Sequence, residues 1–304
     1  MSLEVENDLI RVNNQLCDFS KDGRFLATAY QTNLTIKGYK KFDTIHSFVF
    51  PDIIEYLEWS KNTEYILCAN IKKAIIQVYS IRYPEWKYKL IEGSAGLESV
   101  SWSPDSKYIL TLSDFNILLL NHVTWKPLLQ LYLEPVIQEN YLNKVYEERI
   151  IQPKFSNKNT SYYDRHVLEE KSERPVNIKI GRKNIIERLS IAKFDILKFS
   201  FCGQYLAVKH QLYPTTLWIW NIIDDYLDYL LLENTIVAAR WNPTRAHLLI
   251  FCECAHIFEW TPHNASCISI SRNITVLDAR WHPGGNSLLL CGYNKAIIYQ
   301  IENK

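Results

Sequence analysis

The chain has 304 residues, 47% of them hydrophobic and 13% aromatic, with a formal net charge of +1. That length supports one large all-β domain or two small ones with ample buried core. The near-neutral balance excludes a binder driven by a bulk basic field, so no nucleic acid or membrane partner is expected. Seven cysteines without a C-x-x-C pair predict buried thiols in a reducing compartment rather than a disulfide framework. No run of 18 apolar residues occurs, and the N-terminus lacks the apolar stretch of a signal peptide.

In chain order, one pattern recurs six times: a short strand ending in an aromatic, a polar turn, then an apolar strand. It reads LCDFSKDGRFLATAY from Leu16, YLEWSKNTEYILCAN from Tyr56 and SVSWSPDSKYILTLS from Ser99. It returns as ILKFSFCGQYLAVKH from Ile196, AARWNPTRAHLLIFC from Ala238 and DARWHPGGNSLLLCG from Asp278. The aromatics are Phe19, Trp59, Trp102, Phe199, Trp241 and Trp281, at successive spacings of 40, 43, 97, 42 and 40 residues. Four of these spacings match the length of a four-stranded propeller blade. The turns carry Pro, Gly, Asn, Asp and Ser, which fix or permit the required dihedrals. A third strand follows in each module, and a weaker outer strand in all but the last.

The fold class this predicts is an all-β, WD40-like propeller of about six four-stranded modules, with the six aromatics in the blade cores. Emptying one such site, Trp102→Ala, should cost roughly 3–5 kcal/mol. The last module stops after its third strand, and the segment Leu3–Val12 is expected to supply the missing one, since an open blade exposes an unpaired edge.

The organisation expected is modules 1–3 over residues 1–133, a polar insert over 134–190 and modules 4–6 over 191–304. The insert, with KVYEER and DRHVLEEKSER, is expected to be partly disordered. A short helix is expected at Arg165–Lys171 and a short strand at Asn177–Ile180. Deleting Glu134–Arg174 should leave the fold largely intact, because such a composition supplies little core.

Phosphate-loop, dinucleotide, nucleophile-elbow and zincin motifs are absent, so no enzyme activity and no cofactor is expected. Alternation would put Cys252, Cys254 and His256 on one face, in a set that suits zinc, if the strand continued, but His256 begins the next expected strand after a turn near Glu253–Ala255. No fourth ligand at matching spacing follows, and structural thiols are the better reading. Asp278 and His282 fit a hydrogen-bonded turn brace better than acid–base chemistry. Trp86 in PEW and Trp125 in HVTWK are the candidate partner-binding residues, since Trp is enriched at binding hot spots. The alternative is that each Trp packs its own outer strand.

The stretch YPEWKYKLIEGSAGLESVSWSPDSKYIL from Tyr83, the string LNHVTWKPL from Leu120 and FSFCGQYLAVKHQLYPTTLWIWNI from Phe199 resemble segments of the WD-repeat protein eight family. That resemblance implies a non-enzymatic scaffold in the cytoplasm, at the centrosome and spindle pole. Its partner would be a coiled-coil centrosomal protein, joined in some relatives by a minus-end-directed kinesin. The work implied is anchoring of microtubule minus ends, spindle-pole integrity and, where cilia exist, cilium assembly. Against the family pattern about three internal blades are missing, with the join near Ser113–Asn116. A generic WD40 scaffold in another assembly is the alternative.

Overall fold

The computed structural model describes residues 10–91, 96–113, 116–138, 140, 142–151, 165–181, 193–252, 254–270 and 274–301. The chain folds as two compact units, Met1–Leu133 and Glu134–Lys304. Both are built from strands, and no described residue is helical.

The first unit holds three four-stranded antiparallel meanders in sequence order. The first comprises β1 (Cys17–Phe19), β2 (Phe25–Tyr30), β3 (Asn33–Gly38) and β4 (Thr44–Val49). The second comprises β5 (Tyr56–Trp59), β6 (Tyr65–Asn70), β7 (Ile75–Ser80) and β8 (Lys87–Ile91). The third comprises β9 (Ser99–Trp102), β10 (Tyr108–Ser113), β11 (Asn116–Asn121) and β12 (Pro127–Tyr132). The join near Ser113–Asn116 falls in a regular hairpin, with β10 and β11 in register from Tyr108↔Asn121 to Ser113↔Asn116. Positions 114 and 115 lie outside the described residues.

The second unit opens with β13 (Val136–Ile137), β14 (Val145–Ile151), β15 (Arg165–Glu170) and β16 (Val176–Asn177). The fourth module follows as β17 (Phe194–Phe199), β18 (Tyr205–His210), β19 (Thr216–Asn221) and β20 (Tyr226–Leu231). The fifth is β21 (Ile236–Trp241), β22 (Leu248–Cys252), β23 (His256–Trp260) and β24 (Ala265–Ser269). The sixth is β25 (Asp278–Trp281), β26 (Ser287–Cys291) and β27 (Ala296–Gln300). Among the described residues β27 has no outer neighbour, and Ile298 on it is 73% exposed. Most of the segment expected to cover it, residues 3–9 of Leu3–Val12, lies outside the described residues.

A recurring interlock shows why the aromatic repeats. In the first, second, fourth and fifth modules the residue six positions after the strand-ending aromatic receives the next module's Trp. Phe25 stacks on Trp59 at 6.2 Å, Tyr65 on Trp102 at 6.1 Å and Tyr205 on Trp241 at 6.2 Å. His247 meets Trp281 edge-on at 5.7 Å. The indole then donates to a carbonyl of the preceding blade: Trp59 to Asp18 at 3.1 Å, Trp241 to Lys198 at 2.7 Å and Trp281 to Arg240 at 3.2 Å. Each contact adds directional bonding to apolar burial between adjacent blades. Trp102 breaks the rule. Its Nε1 is buried without a hydrogen-bond partner among the described residues, although its backbone N–H donates to Glu58 Oε2 at 2.9 Å.

In the first four modules a serine follows the aromatic and closes the turn. Ser20, Ser60, Ser103 and Ser200 each accept the backbone N–H five residues on, at 2.9–3.0 Å. That local bond sets the start of the second strand. In the fifth module Asn242 takes this position and donates instead to Gly285 O at 2.9 Å.

Not all six aromatics are core. Trp59 and Trp102 are buried, while Phe199, Trp241 and Trp281 are half-buried. Phe19 is 47% exposed, against expectation. It lies on the first blade of its unit, so no preceding blade there offers a ring for it to stack on.

The insert departs furthest from the sequence reading. Arg165–Glu170 is a strand, not a helix, and pairs with β14 from Tyr146↔Glu170 to Ile151↔Arg165. Its β-branched and aromatic partners on β14 satisfy a ladder that a short polar helix could not. β14 in turn pairs parallel with β20 through Val145↔Tyr229 and Glu147↔Leu231. The fourth sheet therefore has six strands, in the order β15-β14-β20-β19-β18-β17. The strand expected at Asn177–Ile180 is the two-residue β16, paired with β13. Residues 152–164 and 182–190 of the insert lie outside the described residues.

Asp228 fastens this extension. Its Oδ1 accepts the Lys144 N–H at 3.1 Å and its Oδ2 accepts the Trp260 indole N–H at 3.0 Å. Burial is the main influence on its carboxyl, raising its pKa above the ordinary Asp range. Asp228→Ala is expected to destabilise the second unit by about 2–3 kcal/mol, leaving two buried donors unmatched. A denaturant midpoint equal to that of the unaltered chain would refute this role.

Candidate functional site

Two groups of side chains stand out, one in each unit. The first collects the two tryptophans singled out by sequence. In an antiparallel meander the first and third turns lie at the same end of the sheet. Trp86 follows the turn between β7 and β8, which is closed by Trp86 N–H to Tyr83 O at 2.9 Å and Tyr83 N–H to Ser80 Oγ at 3.1 Å. Trp125 closes the corresponding turn between β11 and β12. There Asn121 Oδ1 accepts the N–H groups of Val123 and Thr124 at 2.8 and 3.1 Å.

The tryptophans meet across two blades, with ring centroids 5.1 Å apart. Tyr88 stacks on Trp125 at 4.6 Å, and Tyr65 approaches Trp86 edge-on at 5.6 Å. Trp125 holds φ = 54°, a left-handed conformation that costs an L-residue roughly 1–2 kcal/mol. Packing against Trp86 and Tyr88 offsets that cost. Both tryptophans are half-buried, and Tyr83 and Val123 beside them are 62% and 72% exposed. The outcome is a pair of rings packed on each other across two blades. It is one aromatic cluster with an exposed apolar rim.

The second group surrounds Cys252, Cys254 and His256. The structure brings to it two residues that sequence reasoning missed, Glu148 on β14 and His166 on β15. The side chain of Glu148 is fully buried. It lies 2.5 Å from His166 Nδ1 through Oε1 and accepts the Glu233 N–H through Oε2 at 2.7 Å. The His166 and His256 rings lie 3.9 Å apart. Cys267 on β24 lies on the same face, close enough for the Glu148 charge to act on it.

Burial raises the Cys252 and Cys254 thiols and pushes Cys267 up to about 12. Burial thus favours the neutral thiol over the thiolate at all three positions. No group of three or more His, Cys, Asp or Glu among the described residues has an arrangement that could hold a metal ion. Its visible task is to pack the β14–β15 hairpin against the fifth blade.

His256 lies below the usual His range, first through burial, then through His166, with Glu148 acting in the opposite sense. A depressed folded-state value means that the unfolded chain takes up the proton more readily. The contribution is then whole above about pH 6.5 and declines as pH falls from there toward the folded-state value. The thermal midpoint is expected to drop on going from about pH 7.5 to about pH 5.5, and to drop less in His256→Gln. Identical pH profiles for the two proteins would remove His256 as the cause.

Asp278 and His282 do not pair with each other. Asp278 binds Arg240 at 2.7 Å, while His282 Nδ1 accepts the Gly284 N–H at 3.1 Å and braces its turn. An open cleft of about 670 Å³ in the second unit is lined by Leu249, Ile257, Ile268, Leu288 and Ile298, beside a His247–Glu259 contact of 3.1 Å. Tyr299, Gln300 and Ile301 complete its lining. No helix among the described residues is long and apolar enough to cross a membrane.

Four-stranded meanders interlocked by a strand-ending Trp define a WD40-like β-propeller protein. The chain is similar to mouse WD repeat-containing protein WRAP73, being 36% identical over 111 residues. Those residues are 36% of this chain and 24% of that relative, so the match spans about a quarter of the relative's length. No family model matches. Among solved structures, a Myceliophteria thermophila Cps50 (Swd1) β-propeller domain aligns with TM-score 0.45 and 11% identity, over 98% of this chain and 85% of that one. Kluyvelomyces marxianus Hsv2 aligns with TM-score 0.48 and 11% identity, over 95% and 72%. At those scores neither alignment bears on the fold, which rests on the blades themselves.

Proposed function

We propose that this chain is a non-enzymatic scaffold of the centrosome and spindle pole, which holds a coiled-coil partner and thereby helps anchor microtubule minus ends. The observation that carries the reading is the 36% identity over 111 residues to a WD-repeat protein. The EGSAG and LNHVTWK strings, far more specific than a generic blade pattern, point the same way. A minus-end-directed kinesin is the proposed further member of the assembly, and cilium assembly the proposed role where cilia occur. The Trp86–Trp125 cluster is the proposed partner-binding surface, since clustered, partly exposed Trp is the commonest anchor of protein interfaces.

Proximity labelling from the full chain in dividing cells tests the placement. Enrichment of spindle-pole coiled-coil proteins is the expected result. Enrichment of a different assembly, such as an RNA-processing or ubiquitin-ligase complex, would replace this reading with a generic WD40 scaffold.

A further inference from the structure

One end of the first unit differs in chemistry from the same end of the second. In the first unit the turns at this end expose Lys40, Lys41, Lys61, Arg82, Lys87 and Lys126, none in an ion pair with a described residue. Much of the acid there is already engaged. Asp22 binds Arg24 at 2.5 Å and Ser20 at 2.7 Å, and Asp105 accepts Ser103 Oγ at 2.6 Å with Lys107 at 3.5 Å. Asp43, Glu64 and Glu85 remain, and the cations outnumber them. In the second unit the equivalent turns, 201–204, 222–225, 243–246, 261–264 and 283–286, carry Arg245 against Asp224 and Asp225. Blade architecture alone therefore does not require the basic character.

Apolar groups are set among these cations. Phe19 and Tyr39 meet edge-to-face at 5.7 Å, and Tyr39 lies 6.0 Å from Phe42. On the neighbouring blades Tyr83 and Val123 rim the Trp86–Trp125 cluster, and the Arg82 guanidinium sits 5.6 Å from the Tyr83 ring centroid. The tryptophan faces are taken by each other, by Tyr65 and by Tyr88. They offer edges and shallow relief rather than open platforms, which suits side-chain packing and not base stacking.

We infer that this end of the first unit docks an acidic segment of a protein partner, one whose Leu or aromatic side chains seat on the Phe19–Tyr39 and Tyr83–Trp86–Trp125 groups. Its carboxylates would meet Lys40, Lys41, Arg82, Lys87 and Lys126. The inference rests on the chain being a protein-binding scaffold and not on its placement at the spindle pole.

Isothermal titration of the full chain with two synthetic peptides tests it. Both carry Leu and Trp at the same positions; one carries Glu and Asp elsewhere, the other Lys. The acidic peptide is expected to bind, more weakly as salt rises, and the basic one not to bind. The exposed double variant Arg82→Glu/Lys126→Glu is expected to lose roughly tenfold in affinity. Rescue by the basic peptide in that variant would add support. The inference is overturned if the acidic peptide fails to bind, or if charge reversal leaves its affinity unchanged. Tighter binding of an RNA oligonucleotide or of anionic phospholipid vesicles would overturn it as well. Peptide binding with no spindle-pole labelling would sink the placement and leave the docking surface standing; the reverse pair of results would do the opposite.

Discussion

Trp102→Ala is expected to lower the stability of the first unit by roughly 3–5 kcal/mol, the usual cost of emptying a large aromatic site. Trp102 is buried and packs with Val100, Ile109, Leu118 and Leu120 against the second blade. Its ring also stacks on Tyr65, which touches Trp86, so the cavity would open under the aromatic cluster. Trp102→Phe separates volume from hydrogen bonding. The Trp102 indole N–H has no partner among the described residues, so replacing it removes a buried unmatched donor along with some packing. Trp59→Phe, by contrast, gives up a real bond to Asp18 O. The Trp59 change is expected to cost more than the Trp102 change by about 0.5–1.5 kcal/mol. Urea unfolding of the three variants gives the comparison. Equal costs for the two Phe variants would show that the Trp102 N–H is satisfied in solution.

The blades were legible because their cause is local. The aromatic, the turn residues and the apolar second strand lie within about fifteen residues, the range over which turn chemistry and alternation act. The partner of each aromatic was less visible. Nothing in the sequence says that Trp59 will find Phe25, yet the spacing of six from the preceding aromatic, once known, recovers Tyr65, Tyr205 and His247. The exposure of Phe19 depends on which blade precedes it in space, which its own sequence does not encode. Trp86 and Trp125 could be singled out, but not joined, because 39 residues separate them and blade stacking alone brings them together.

The helix expected at Arg165–Lys171 fails for a physical reason. RHVLEE and VYEERII carry charges on both kinds of position, which reads as a solvated segment or short helix when the sequence is taken alone. Here tertiary pairing overrides that local signal. Glu148 is the clearest case. It reads as one charge in a polar run, yet it is buried because the His166 ring and the Glu233 N–H both await it. Cys252, Cys254 and His256 could be singled out from their spacing, although Cys252 ends β22 and His256 begins β23. Their true neighbours arrive from the insert and were invisible to any spacing rule.

Replacing residues 142–171 with a short Gly-Ser linker is therefore expected to cost the second unit about 5 kcal/mol or more. Tyr146 would leave the core it shares with Leu217, Leu230 and Trp260, and the buried Val145 would go with it. Asp228 would lose the Lys144 N–H and the Glu233 N–H would lose Glu148. The β20 ladder would be left open along Tyr229–Leu231, a template for pairing with other chains. A loss of that size rivals the whole stability of a typical domain, so cooperative unfolding should disappear and association should appear at moderate concentration. Calorimetry with light scattering reads both. The comparison variant Arg149→Ala/Glu169→Ala removes only an exposed 2.9 Å ion pair of the same hairpin, and is expected to change stability by about 1 kcal/mol or less. A deletion that still melted cooperatively near the unaltered midpoint would mean that the hairpin is an ornament on the fourth blade. A deletion that collapses beside an intact pair variant would make β14 a structural strand of that sheet.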